Sequence, residues 1–180
     1  MKINELFISE AFSSAYDIVD LPFSNGSIEK AFYTDSGKKY VISYLFEPFM
    51  RQAHKEFLMG QYPIYDNEFV EGLNSYLDVS FFLDDGTRSI GQTKYGYDPE
   101  KGGEYTVTNP DDNPMKIFST VMTDLRQAVT KWNPDVITFE GERKLGSLYT
   151  AMIKRYLPGH YDYVYKDVGN VRKFLIFKIK

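Results

Sequence analysis

The most regular pattern of apolar positions lies in the last third of the chain. After Asn113-Pro114, the residues Phe118, Val121, Met122, Leu125, Ala128, Val129 and Trp132 recur along one side of a helical period, which predicts an amphipathic helix. Asn113 is a favoured N-cap, Pro114 at the first helical position gives up no hydrogen bond, and Asp111 and Asp112 put negative charge near the positive helix end. Asn133-Pro134 stops the helix. Val136–Phe139 is a short, β-branched apolar run of the kind that forms a strand buried on both faces. Alternation places Ile137 and Phe139 on one face and Val136 and Thr138 on the other. A second helix is predicted by Leu145, Leu148, Tyr149, Met152, Ile153, Tyr156 and Leu157, and Pro158-Gly159 ends it. Leu145, Leu148, Met152 and Ile153 are expected to close around the core. Tyr161–Lys166 and Arg172–Ile179 then form a closing hairpin around Asp167-Val168-Gly169-Asn170.

Earlier segments are less regular. Residues 1–27 read as a mixed lead-in with a weak helical signal around Asn4–Tyr16 and a turn at Ser24-Asn25-Gly26-Ser27. Glu29–Thr34 and Lys39–Phe46, joined by Asp35-Ser36-Gly37-Lys38, read as a hairpin. Residues 47–75 carry Phe49, Met50, Phe57, Leu58 and Met59, enough for a helix face, but Pro48, Gly60, Pro63 and Gly72 interrupt it. Tyr76–Leu83 reads as a strand closed by Asp84-Asp85-Gly86, with Arg88–Tyr97 or Glu104–Thr108 as its expected partner. The sum is an α+β chain: a mixed sheet with an antiparallel N-terminal meander, two packed C-terminal helices and a closing β-hairpin.

Composition supports that class. The 180 residues suit a single domain, 1–180, and 43% hydrophobic with 26% charged residues is a globular balance. Fifteen Tyr and fourteen Phe favour a strand-rich fold, since rings fit half-buried pleated surfaces. With no cysteine, disulfides, thiolate metal sites and cysteine nucleophiles are excluded. The two histidines, His54 and His160, stand far apart and read as surface or turn residues, so no histidine metal site is expected. There is no apolar run of about 18 residues to span a membrane. The N-terminus, with Glu5 and Glu10, lacks the pattern of a signal peptide, and a cytoplasmic location in the producing cell is expected.

Charge is unevenly placed. From Arg143 to Lys180 there are nine basic and two acidic residues, a charge of +7, which leaves −11 for the rest of a chain whose net charge is −4. Such asymmetry suits either an anionic ligand or mutual neutralisation across the fold. Tyr156, Tyr161, Tyr163 and Tyr165 among Lys and Arg are compatible with stacking on nucleic acid. They alternate as strand residues should, however, and the chain is acidic, so nucleic acid is not the expected partner. Glu140 and Glu142, flanking Gly141, read as acids at a helix start.

The order strand, helix, strand, helix, strand, strand resembles the second half of a GNAT-type acyltransferase, and more closely the small phage-encoded proteins with a GNAT-like fold. The matching stretches are Tyr105-Thr106-Val107-Thr108, Phe118-Ser119-Thr120-Val121, Pro134-Asp135-Val136-Ile137-Thr138-Phe139, Arg143-Lys144, Leu148-Tyr149 and Lys154-Arg155, within residues 104–180. The resemblance implies acetyl-CoA pyrophosphate held on backbone amides at a strand-to-helix turn of pattern Gln/Arg-x-x-Gly-x-Gly/Ala. The equivalent turn here, Asn109-Pro110-Asp111-Asp112-Asn113-Pro114, has no glycine, two prolines without N–H groups and two carboxylates. At an effective dielectric of about 20, like charges about 4 Å apart repel by about 4 kcal/mol. One piece survives: Leu148-Tyr149 matches the pair whose tyrosine protonates the departing CoA thiolate, although Tyr149 also lies on the apolar stripe of its helix.

Two functional readings follow. The first is a non-catalytic GNAT-like phage protein that acts by contact with a virion or host protein and uses no cofactor. The second is an acyl-CoA-dependent N-acyltransferase with an atypical loop, in which Tyr149 is the general acid and Arg143, Lys144 and Arg172 hold the acetyl-CoA phosphates.

Overall fold

The computed structural model describes residues 15–23, 26–62, 67–84 and 113–179. Their elements are β1 (Ile18–Asp20), β2 (Ile28–Tyr33), β3 (Lys39–Glu47), α1 (Gln52–Gln61), α2 (Asn67–Glu71), β4 (Tyr76–Asp84), α3 (Pro114–Trp132), β5 (Val136–Glu142), α4 (Gly146–Tyr156), β6 (Tyr161–Val168) and β7 (Val171–Lys178). A 3₁₀ turn, Arg143–Leu145, leads into α4. The seven strands form one mixed sheet in the order β1-β2-β3-β4-β5-β7-β6, so the α+β class is as the sequence reads. The helical stretch expected at 4–14, the turn at 24–25, the strands Arg88–Tyr97 and Glu104–Thr108 and the loop residues 109–112 lie outside the described residues.

The chain divides into two compact units. One comprises Met1–Ser43 and Phe81–Leu125, the other Tyr44–Ser80 and Arg126–Lys180. In the first, β1 and β2 pair antiparallel, with Val19 opposite Ala31. The turn after β2 closes through Thr34 N–H to the Lys38 carbonyl, and Gly37 takes the positive φ of 81° that the turn requires. A run of stacked rings, Tyr16, Phe32, Tyr40 and Phe81, carries this unit's core and meets Phe118 of α3. Asn113 caps α3 as expected: its Oδ1 accepts from the N–H groups of Met115 (3.1 Å) and Lys116 (3.2 Å). Asp124 is buried in the apolar stretch of α3, where Lys30 Nζ meets it at 2.6 Å.

The second unit is a three-layer sandwich. On one face, Leu58 of α1, Tyr62 just after it, Val70 of α2 and Leu73 cluster with Tyr76, Val136 and Leu175 of the strands. On the other face, Tyr149 of α4 sets its ring edge against Phe139 and Phe174. Within 47–75, which the sequence leaves open, Gln52–Gln61 and Asn67–Glu71 thus form two short helices that cover a sheet face. Lys55 is nearly buried there, and its ammonium caps the carbonyl of Glu71 at the end of α2 (2.7 Å). In α4 Met152 and Ile153 are buried, whereas Leu148, and Leu145 in the turn before the helix, are half-buried. The helical stripe is where it was expected, but its first turn lies nearer the rim than the core reading required.

The sheet is assembled as β4 parallel to β5, with Tyr76 opposite Val136, and β7 antiparallel to β5, with Phe139 opposite Phe174. Asp135 fastens the start of β5. Its Oδ2 accepts from Asn74 N–H (2.9 Å) and Ser75 N–H (3.1 Å), its Oδ1 from Lys178 Nζ (3.2 Å), and its own N–H donates to Ser75 Oγ. Burial works to raise this carboxyl, but the donors from Asn74, Lys178 and Ser75 outweigh it and hold it below the ordinary range. A lowered carboxyl contributes stability above its unfolded value, and that contribution is lost as the pH falls through the folded one. Asp135→Asn should therefore cost about 1.5–3 kcal/mol at neutral pH in urea unfolding. The gap from wild type should narrow as the pH falls below about 4, the ordinary aspartate value, and through the lower folded one. A gap that stays constant into acid would show that the charge is not what Asp135 contributes.

Candidate functional site

The residues named by the sequence gather at the junction of β5 and α4. Gly141, near the end of β5, lies under the Tyr149 ring so closely that a Cβ there would come within 2.5 Å of Cε2 and 2.7 Å of the hydroxyl. Burial first, and the Glu142 carboxylate second, push the Tyr149 phenol up to about 12, partly offset by a backbone hydrogen bond at Glu142. A phenol raised this far is a weaker acid than an ordinary tyrosine, so its environment works against thiolate protonation.

The three candidate cations do come together, but each already meets a carboxylate. Arg172 grips Asp167 in a fork, Nε to Oδ1 at 2.7 Å and a terminal nitrogen to Oδ2 at 2.9 Å. Its guanidinium also lies 4.0 Å over the Tyr165 ring, and a Cβ on Gly146 would run into it. Arg143 Nε reaches the same Asp167 at 3.1 Å, and Lys144 Nζ meets Glu142 at 2.7 Å. The hydrogen bond from Arg172 is the main reason the Asp167 carboxyl is held below its usual range. Three cations and two carboxylates leave a surplus of about one charge, weak for two phosphates. Glu140 and Glu142 are strand residues of β5, where the sequence reading made them helix-start acids. The 3₁₀ turn keeps them off the helix dipole, and Glu140 pairs with Lys173 at 2.8 Å.

Sequence reasoning missed a second polar cluster, on the opposite face of the second unit. Asp78 and Thr138 sit opposite each other on the parallel pair β4 and β5, and both are buried. Thr138 Oγ1 donates to Asp78 Oδ1 at 2.6 Å. The Tyr76 hydroxyl lies 2.7 Å from Thr138 Oγ1 and 3.2 Å from Asp78 Oδ1. Two hydroxyl protons serve three contacts, and the two shortest make a relay from Tyr76 through Thr138 to Asp78. The His54 ring tilts against Tyr76 at 5.6 Å, and its Nδ1 is 2.8 Å from Glu47 Oε2. His54 is thus a half-buried partner of Glu47, in contrast to its reading as a surface residue; His160 is exposed in the turn before β6, as read. One signal was available: Asp78 is a charge set between Leu77 and Val79 early in a strand whose other residues are mostly Tyr, Leu, Val and Phe.

Among the described residues no buried side-chain nitrogen or oxygen lacks a hydrogen-bond partner, and no three His, Asp or Glu are gathered as metal ligands. No described helix is long and apolar enough to cross a membrane. No protein-family model, curated protein or solved structure matches the chain.

Proposed function

We propose that this chain is a non-catalytic protein with a GNAT-type core, of phage origin, that acts by contact with a virion or host protein. The observation that carries the reading is the state of the would-be acyltransferase groups. Tyr149 is wedged between Phe139, Phe174 and Gly141, and Arg143, Lys144 and Arg172 are engaged by Asp167 and Glu142. The succession α3, β5, α4, β6, β7 supports the GNAT-type core, because it repeats the later elements of that fold's second half; Tyr105–Thr108, the strand that opens the resemblance, lies outside the described residues. The contact role rests on the phage resemblance, and fold likeness by itself does not assign a partner.

Calorimetric titration with acetyl-CoA is expected to give no binding heat. Binding at about micromolar strength, near 8 kcal/mol of affinity, would overturn the reading and bring back the N-acyltransferase. In that event Tyr149→Phe should abolish most turnover while the fold is kept, and unchanged turnover would exclude Tyr149 as the acid.

A further inference from the structure

We propose that β6 is a self-complementary interface, pairing antiparallel with β6 of a second copy of this chain about a two-fold axis at Val164. This rests on the edge strand alone and holds whichever functional reading is right. Among the described strands, β6 ends the sheet and has β7 as its neighbour. It runs for eight residues, with Tyr165 and Val168 exposed. A strand of that length at a sheet edge presents a row of backbone groups able to pair with another chain.

The backbone alternation sets which residues face outward. Ile179 N–H donates to the His160 carbonyl (2.8 Å), and the register pairs Asp162 with Phe177 and Val164 with Leu175. Even-numbered residues of β6 therefore exchange hydrogen bonds with β7, and the odd-numbered Tyr161, Tyr163, Tyr165 and Asp167 point their N–H and C=O groups away from it. The Tyr163 N–H confirms the direction: it is met by the Asp162 side chain, Oδ1 at 2.8 Å, and not by a strand.

Centring a two-fold axis on Val164 brings Tyr163 opposite Tyr165 of the other copy and Tyr161 opposite Asp167. These are the outward-facing residues; with the Tyr161 N–H held by its own chain's Pro158 carbonyl (3.0 Å), together they form about six interstrand hydrogen bonds. The same register sets Asp162 against Lys166 of the second copy, and Lys166 against Asp162, because the two charges are equidistant from the axis. Lys166 has reason to accept that partner. Its neighbour across the hairpin is Lys173, which is held by Glu140, and no carboxylate pairs with Lys166 among the described residues. Shifting the axis to Tyr163 or Tyr165 loses both ion pairs, and shifting it to Lys166 opposes like charges. On the other strand face the register pairs tyrosines, a favourable cross-strand combination. Lysine on an edge strand ordinarily guards against association. Here the strand carries the complementary acid at the matching distance, as an isologous interface requires. The Asp162 carboxylate exchanges its own-chain contact for Lys166, and Tyr163 N–H passes to a carbonyl of the second copy.

The test is sedimentation velocity of the full-length chain over a concentration series up to about 1 mM, with circular dichroism to verify the fold of each variant. Wild type is expected to move from monomer to dimer as concentration rises. Lys166→Asp places like charges opposite each other twice and should weaken the dimer about tenfold or more. The exchange Asp162→Lys with Lys166→Asp restores both pairs and should return the dissociation constant to within about threefold of wild type. A chain that stays monomeric throughout would overturn the proposal. So would a dimer indifferent to Lys166→Asp, or one that the double exchange fails to restore.

Discussion

Phe174→Ala is expected to cost about 3–5 kcal/mol, a large part of the 5–15 kcal/mol that typically holds a domain together. Phe174 is fully buried in β7, stacked on Phe139 at 4.7 Å and met by the ring edge of Tyr149 at 5.9 Å. Tyr163 and Tyr165 approach the same ring from β6 at 6.4 and 5.9 Å. Truncation removes a ring that α4, β5 and β6 share, and the neighbours are themselves fixed in strands or a helix, so the cavity can collapse only in part. The measurement is the guanidinium midpoint of the variant beside that of Leu148→Ala. Leu148 is half-buried and loses less transferred area, so its midpoint should fall by clearly less. Equal midpoints would mean that α4 does not sit on Phe174 as described.

The second large effect is expected at Gly141. Its φ lies outside the left-handed region, so alanine suits the backbone, and the atoms nearest an added Cβ all belong to the Tyr149 phenol, the first at 2.5 Å. That ring is hemmed in by Phe139 and Phe174 and has little freedom to withdraw. Overpacking of this kind costs about 1–3 kcal/mol. Gly141→Ala should therefore be destabilising in wild type and much less so in a Tyr149→Leu background, with a coupling of about 0.5–3 kcal/mol in a double-mutant cycle. Additive costs would place the reason for the glycine in the backbone. The same cycle bears on function, since it measures how firmly the phenol is lodged in packing.

Much of this architecture is local and so was legible in residue order. The Asn113 cap and the stripe from Phe118 to Val129 specify α3 because a helix satisfies its backbone internally and needs only one apolar side. Asn133 ends it at a positive φ of 48°, a conformation asparagine tolerates better than most residues. Val136, Ile137 and Thr138 read as a buried strand, and they are buried. The closing hairpin follows from its Gly169-Asn170 turn.

What residue order did not determine is which distant segments meet. That β7, and not β6, lies beside β5 depends on burial: Phe174, Leu175 and Ile176 are consecutive apolar residues that need cover on both faces, while Asp162 and Lys166 keep β6 at the edge. Within the weakly patterned stretch 47–75, α1 and α2 form because Leu58, Tyr62 and Val70 find a sheet face, a gain that no local window contains. The buried Asp78 is made tolerable in part by Thr138, which brings a hydroxyl to it from sixty residues later in the chain. Arg143 and Arg172, which look like open cations in the sequence, are joined on Asp167 once the hairpin folds back against the start of α4. Periodicity and caps act within a few residues and can be read from the chain. Charge neutralisation and polar satisfaction act between segments far apart in sequence, and only the tertiary structure decides them.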